Sequence, residues 1–102
     1  MSTQICIVPK DWNKFQHYKT RLAPWIKVPR SHLEDRVMAS LGVEARLVAY
    51  QLLLLASEHP KGLIDLPLEV VCHRISMSSE QFLEGLISLM EHGYFASGLA
   101  SK

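Results

Sequence analysis

The residues best suited to metal or nucleophilic chemistry in this 102-residue chain are its two cysteines and five histidines. Cys72 and His73 are adjacent, and side chains at neighbouring helix positions point in different directions. The pair therefore suits neither a shared metal ion nor a nucleophile with its base. The Cys-x2–4-Cys and His-x3–5-His spacings of zinc sites are also missing. We predict no enzyme, no catalytic residue, no metal and no cofactor, and we interpret Cys72 as a small core residue.

A second set of candidate residues lies in the basic and aromatic segment from Lys14 to Arg30. Tyr18 or Trp25 could stack on bases, and four basic side chains could meet phosphates: Lys19, Arg21, Lys27 and Arg30. The alternative is that the bases form an ordinary solvated face. On either view, Trp25 is better explained as a core residue.

Residues around a predicted helix–turn–helix form the third set. Arg74 could assist docking on DNA, and free N–H groups at the following helix N-terminus could meet a phosphate beside Ser78, Ser79 and Gln81. Ser78 and Gln81 have the spacing of a capping box, which explains them equally well.

The helix that begins after Ser78 is predicted to expose an acidic face and has no lysine or arginine. Because phosphate neutralisation supplies much of the affinity for DNA, such a face would be repelled by a DNA backbone. Its alternative role is to bind a basic protein surface, through Glu80, Glu84, Ser88 and Glu91.

The elements that position these residues follow from hydrophobic periodicity and capping signals. We predict strands at 4–8, 63–66 and 94–96, an extended segment at 25–28, and helices at 31–41, 43–57, 67–74 and 79–92. Ser31 is predicted to cap the first helix. The residues predicted to face inward are Leu33, Val37 and Leu41 in the first helix and Phe82, Leu83, Leu86, Leu89 and Met90 in the last. In the second helix, Val43, Leu47, Tyr50 and Leu54 recur at helical spacing, and Leu52, Leu53 and Leu55 widen the apolar surface nearly all round. We therefore predict that the second helix is central and buried on most sides.

This order predicts an α+β, mostly α fold: a winged helix–turn–helix with four helices, a small β-sheet and a reduced wing. Ser76 stands in the turn where glycine is common. We divide the chain into a strand and basic arm (1–23), the winged-helix domain (24–96) and a short tail (97–102). Because few residues follow Phe95, either the chain is a fragment of a longer protein or the strand near Ile5 to Val8 completes the sheet.

Charge is distributed unevenly, although the chain has a formal net charge of only +1. Residues 1–41 carry seven bases and three acids, and residues 62–102 carry two bases and five acids. The composition argues against a polybasic or disordered protein, and no apolar run is long enough to span a bilayer. Two cysteines without a secretory signal predict a cytoplasmic protein.

Three segments resemble the N-terminal winged-helix domain of phage replication initiators, the replisome-organiser or DnaD-like proteins. They are PWIKV (24–28), the helix pair SHLEDRVMASLGVEARLVAYQLLLLAS (31–57) and GLIDLPLEVVCHRISMSSEQFLEGLISLMEHGYF (62–95). The resemblance covers about residues 24–96 and implies origin-DNA binding and recruitment of helicase-loading proteins in a bacterial host cell.

The sequence leads to two hypotheses about function, one of DNA binding and one of protein binding. In the first, the chain is a DNA-binding domain of replication-initiator type that uses the basic segment and the helix–turn–helix. In the second, it is a protein-interaction module, a phage-encoded adaptor or inhibitor, that uses the acidic helix. A homodimer, in which the acidic helix of one copy meets the basic arm of another, is a third interpretation.

Overall fold

The computed structural model describes residues 3–12, 28 and 30–98. The elements in this part are strand β1 (Gln4–Pro9), a first 3-10 turn (Arg30–Leu33), helices α1 (Arg36–Ser40) and α2 (Val43–Ala56), a second 3-10 turn (Pro60–Gly62), strand β2 (Ile64–Pro67), helices α3 (Leu68–Ile75) and α4 (Ser79–Glu91), and strand β3 (Phe95–Ser97). The predicted fold class is confirmed: the chain is α+β, mostly helical, and winged-helix-like.

The small sheet is antiparallel and has β1 as its central strand, in the order β2-β1-β3. Ile5 lies opposite Leu66, and Val8 lies opposite Ala96. The N-terminal strand therefore completes the sheet, which is one of the two alternatives that the sequence left open. Residues 4–9 consequently belong to the same folded unit as the helices.

The prediction for the first helix was wrong about where the helix starts and about which of its side chains face the core. Ser31 lies in the first 3-10 turn, and α1 is capped instead by Asp35. The Asp35 Oδ1 atom accepts hydrogen bonds from the N–H groups of Val37 (3.0 Å) and Met38 (3.1 Å), as an N-cap side chain does. This later start rotates Met38 into the core and leaves Val37 exposed and Leu33 87 % exposed; Leu41 is buried as predicted.

Helix α2 has close to the predicted length, but it is not buried on most sides, and the apolar stripe read from its periodicity lies on the outer side. Val43, Leu47 and Leu54 are 71 %, 47 % and 52 % exposed, and Tyr50 is half-buried. The buried face is instead Ala45, Val48, Ala49, Leu52, Leu55 and Ala56. Both faces of α2 are apolar, so periodicity could not tell them apart. The small residues allow α4 to approach closely, and they therefore face inward.

The helix–turn–helix has the predicted turn and the predicted cap. Ser76 ends α3 in the left-handed conformation (φ 57°, ψ 46°), and the Met77 N–H donates to the Cys72 carbonyl at 3.1 Å. Ser78 and Gln81 form the predicted capping box at the start of α4. The side-chain amide of Gln51 donates to the Ile75 carbonyl at 3.3 Å, which ties α2 to the end of α3.

Helix α4 packs its inner side against α2. Phe82, Leu86 and Leu89 are buried as predicted, and Gly85 is buried with them. Leu83 is only half-buried and Met90 lies at the surface, so these two do not complete the core. The orientation of α4 is thereby fixed, and so is the set of residues it presents outward.

Candidate functional site on the outer face of helix α4

The outer face of α4 combines carboxylates with one apolar side chain. Glu80, Glu84, Ile87 and Glu91 follow each other at intervals of four, three and four residues, so they share one side of the helix. All four are exposed, and Ile87 is 56 % exposed. We call these four residues the α4 face. Phe82 and Leu89 are buried on the opposite side of the helix, and the capping box fixes its first turn. Together they determine that the α4 face points outward.

The carboxylates of the α4 face are unopposed in the part of the chain that the structure describes. No ion pair there involves Glu80, Glu84 or Glu91, and α4 itself contains no basic residue. Three negative charges along one helix side create a local negative potential that attracts cations and repels phosphates. The α4 face is therefore unsuited to lie in a DNA groove.

The predicted DNA contact Arg74 is engaged elsewhere. Its Nη1 donates to Glu58 Oε1 at 2.7 Å, and its Nη2 donates to the other oxygen of the same carboxylate. This hydrogen-bonded pairing lowers the pKa of Glu58 and raises that of Arg74. Such a two-pronged pair offsets the charge that Arg74 would offer to a phosphate.

The serine and glutamine predicted to meet a phosphate are used mainly as caps. Ser78 Oγ accepts from the Gln81 N–H at 3.2 Å, and Gln81 Oε1 accepts from the Ser78 N–H at 3.2 Å. Ser79 is exposed at the first position of α4. The structure thus brings these residues together at one helix end, where helix capping accounts for two of them.

The basic candidates fall into two groups. Lys19, Arg21 and Lys27, together with Tyr18 and Trp25, lie outside the described residues, and so does almost all of the predicted extended segment 25–28. Arg30 is exposed at the start of the first 3-10 turn. All ten acids but only six of the eleven bases lie in the described residues, which gives this part a formal charge of −4.

The residues predicted for protein binding are largely brought together. Glu80, Glu84 and Glu91 share the α4 face, whereas Ser88 is half-buried and its carbonyl accepts from the His92 ring Nδ1 at 2.8 Å. Sequence reasoning missed Ile87 as a site residue. Its position three residues after Glu84 and seven after Glu80 was the signal that places it on the same side.

No metal-binding cluster occurs among residues 3–12, 28 and 30–98, since nowhere do three or more His, Cys, Asp or Glu side chains converge. Both cysteines are free thiols, and burial raises the pKa of Cys72, which suits its half-buried position. None of the described helices has the length and apolarity needed to cross a bilayer.

Comparison of the chain with protein-family models, with curated protein sequences and with solved structures gave no match.

Proposed function

We propose that this chain is a non-enzymatic winged-helix interaction module whose α4 face binds a partner protein through a basic and apolar surface. The single observation that carries this proposal is the composition of the α4 face. Glu80, Glu84 and Glu91 surround the exposed Ile87 on the helix that a winged-helix domain would otherwise place in a DNA groove. An apolar centre with a charged rim is the usual anatomy of a protein interface.

Charge complementarity defines the partner. Lysine or arginine side chains would pair with the three carboxylates, and an apolar side chain would cover Ile87. Complementary charges mainly give specificity and a fast association rate, whereas the apolar contact contributes most of the affinity. A basic amphipathic helix provides both features on one face.

A helical peptide of leucine and lysine, about 18 residues long and with all leucines on one side, is the direct probe. We expect it to bind the chain, and we expect Glu84→Gln with Glu91→Gln to raise its dissociation constant about tenfold, since each exposed ion pair contributes up to about 1 kcal/mol. Fluorescence anisotropy of the labelled peptide measures this change.

The matched control removes the same charge elsewhere. Glu34→Gln with Glu44→Gln alters two exposed carboxylates outside the α4 face. Equal weakening by the two double variants would show that the peptide responds only to net charge, and it would refute the proposed site. Ile87→Ser is expected to weaken binding, while Leu54→Ser, at a similarly exposed leucine, is not.

DNA binding through the basic segment is the second candidate function, and the charge distribution favours it. Because α4 and Arg74 are poorly suited to DNA, the contacts would come from Lys19, Arg21, Lys27 and Arg30. The resemblance to replication initiators is compatible with both candidate functions, protein binding and DNA binding, since such proteins bind DNA and also recruit a protein partner.

The salt dependence of DNA binding tests this second candidate. We expect Lys19→Ala with Arg21→Ala to reduce the slope of log affinity against log salt by about 2, roughly one for each lost phosphate contact. Anisotropy of labelled duplex and single-stranded DNA at about 50 and 200 mM salt gives the slope. The control is Lys10→Ala with Arg36→Ala, which removes the same charge from two exposed positions elsewhere. If this control changes the slope equally, the change comes from net charge and not from phosphate contacts by Lys19 and Arg21.

A further inference from the structure

A second surface, unrelated to the α4 face, lies between the first 3-10 turn and α2. It is a half-open groove of about 470 Å³, lined chiefly by His32, Leu33, Val43, Arg46, Leu47 and Tyr50. Three of its apolar side chains are exposed: Leu33 at 87 %, Val43 at 71 % and Leu47 at 47 %. Exposed apolar side chains that line one concave surface are typical of a binding site.

The groove carries a positive charge on Arg46. Among the described residues, its lining includes one guanidinium and one imidazole but no carboxylate. The Nε atom of Arg46 and the Nδ1 atom of His32 are buried without a hydrogen-bond partner in the described part of the chain. Buried polar atoms without partners are uncommon in folded proteins, and the charged guanidinium of Arg46 would be satisfied best by a carboxylate.

The walls of the groove are fixed by neighbouring contacts. The His32 and Tyr50 rings pack against each other in a tilted arrangement, with centroids 6.2 Å apart. Val43, Arg46, Leu47 and Tyr50 line it from successive turns of one side of α2, a stretch about 10 Å long. This length matches two turns of a bound helix, which would offer two or three side chains to the groove.

We propose that this groove binds a helical segment of a partner protein that is apolar on one side and carries an adjacent carboxylate. The apolar side chains would cover Leu33, Val43 and Leu47, and the carboxylate would pair with Arg46. The required charge is opposite to that of the partner proposed for the α4 face, so the two surfaces select different segments.

A helical peptide of leucine and glutamate, the charge-reversed counterpart of the leucine–lysine probe, tests this proposal. We expect Leu47→Ser and Arg46→Gln each to weaken its binding at least fivefold. Leu54→Ser is the matched control, because Leu54 is 52 % exposed on the same helix and does not line the groove. Circular dichroism confirms that each variant retains its helix content, and Ile87→Ser should leave this peptide's affinity unchanged.

Several results would overturn the proposal. Absence of binding at millimolar peptide, or equal weakening by Leu47→Ser and Leu54→Ser, would remove the groove as its site. Preference of the groove for the leucine–lysine peptide would contradict the assigned charge. If sedimentation shows a dimer of this chain that Leu47→Ser dissociates, the groove is an interface between copies instead. Loss of leucine–lysine binding alone would affect the α4 face and leave this groove standing.

Discussion

Asp35 connects two distant parts of the chain with the two oxygens of one carboxylate. Its Oδ1 caps α1, and its Oδ2 accepts a hydrogen bond from Tyr94 Oη at 2.6 Å. The Tyr94 hydrogen bond is the largest cause of the lowered pKa of Asp35, followed by the backbone N–H of Met38. Desolvation, and then the hydrogen bond to Asp35, raise the pKa of Tyr94 to about 12.

Tyr94→Phe is predicted to destabilise the fold in a pH-dependent way. Because the folded-state pKa of Asp35 lies below its ordinary value of 3.8, the stabilisation is present above that value and is lost as pH falls through the folded-state pKa. Because the pKa of Tyr94 is raised, stability is also lost as pH rises from the ordinary value near 10 toward about 12.

Urea unfolding of wild type and Tyr94→Phe between about pH 2 and 9 measures the difference. We expect the wild type to be more stable at neutral pH and the gap to narrow below about pH 4. A gap independent of pH across that range would show that the Tyr94 hydroxyl does not act through the ionised Asp35 carboxylate.

Ser76 shows how the backbone limits a single position. It adopts φ 57° in the turn between α3 and α4, a conformation that costs a residue with a Cβ about 1–2 kcal/mol. Ser76→Gly relieves this strain, but it also increases the conformational entropy of the unfolded chain, which lowers the free energy of unfolding by about 0.4–1 kcal/mol. We predict a net stabilisation of about 0.5–1 kcal/mol from thermal or urea unfolding, and a destabilised variant would contradict the assigned turn.

At the scale of elements, the contact between α2 and α4 determines which surfaces remain available. A Cβ atom built at Gly85 would lie 2.8 Å from Val48 Cγ2 and 3.3 Å from the Ala45 Cα. Val48 is fully buried and has no room to move. The absence of a side chain at Gly85 therefore allows the close approach that turns the small-residue face of α2 inward.

Gly85→Ala is accordingly predicted to destabilise the protein by about 1–2 kcal/mol. Overpacking costs about 1–3 kcal/mol, while alanine recovers up to about 1 kcal/mol of helix propensity. Gly42→Ala is the control for steric overlap, since a Cβ there meets nothing within 4 Å and only the poorer N-cap preference of alanine acts against it. A Gly85→Ala variant at least as stable as the wild type would contradict the close packing of α2 on α4.

The sequence predicted elements well where local chemistry determines them. The capping box at Ser78, the turn at Ser76 and the strands β1 to β3 follow from local residue types, and each was found close to its predicted place. The prediction that α2 is buried on most sides was wrong, because the side that is buried is selected by a tertiary contact at Gly85. The predicted start of α1 was wrong because Asp35, and not Ser31, caps the helix.

The candidate sites were likewise predictable only in part. Glu80, Glu84 and Glu91 were assigned to one exposed face because the apolar stripe of the same helix marks its inner side. The groove between the first 3-10 turn and α2 was missed because Leu33, Val43 and Leu47 were expected in the core. The bases Lys19, Arg21 and Lys27 remain a prediction from charge pattern alone.

At the scale of the whole molecule, the charges separate into distinct regions. The described residues carry all ten acids and a formal charge of −4, while four of the five remaining bases lie between residues 13 and 27. An acidic scaffold joined to a basic segment is suited to binding two partners of opposite charge. This arrangement explains how a winged-helix-like fold could bind DNA without inserting α4 into a groove.

The most direct test of the central claim places a photo-reactive amino acid, p-benzoylphenylalanine, at position 87 of the α4 face. The protein is irradiated in a mixture of labelled leucine–lysine peptide and labelled duplex DNA, and the same residue at position 54 serves as the control. We expect crosslinks to the peptide from position 87, few from position 54, and none to DNA from position 87. DNA crosslinks from position 87, at the expense of the peptide, would show that α4 lies against nucleic acid and would refute protein binding by the α4 face.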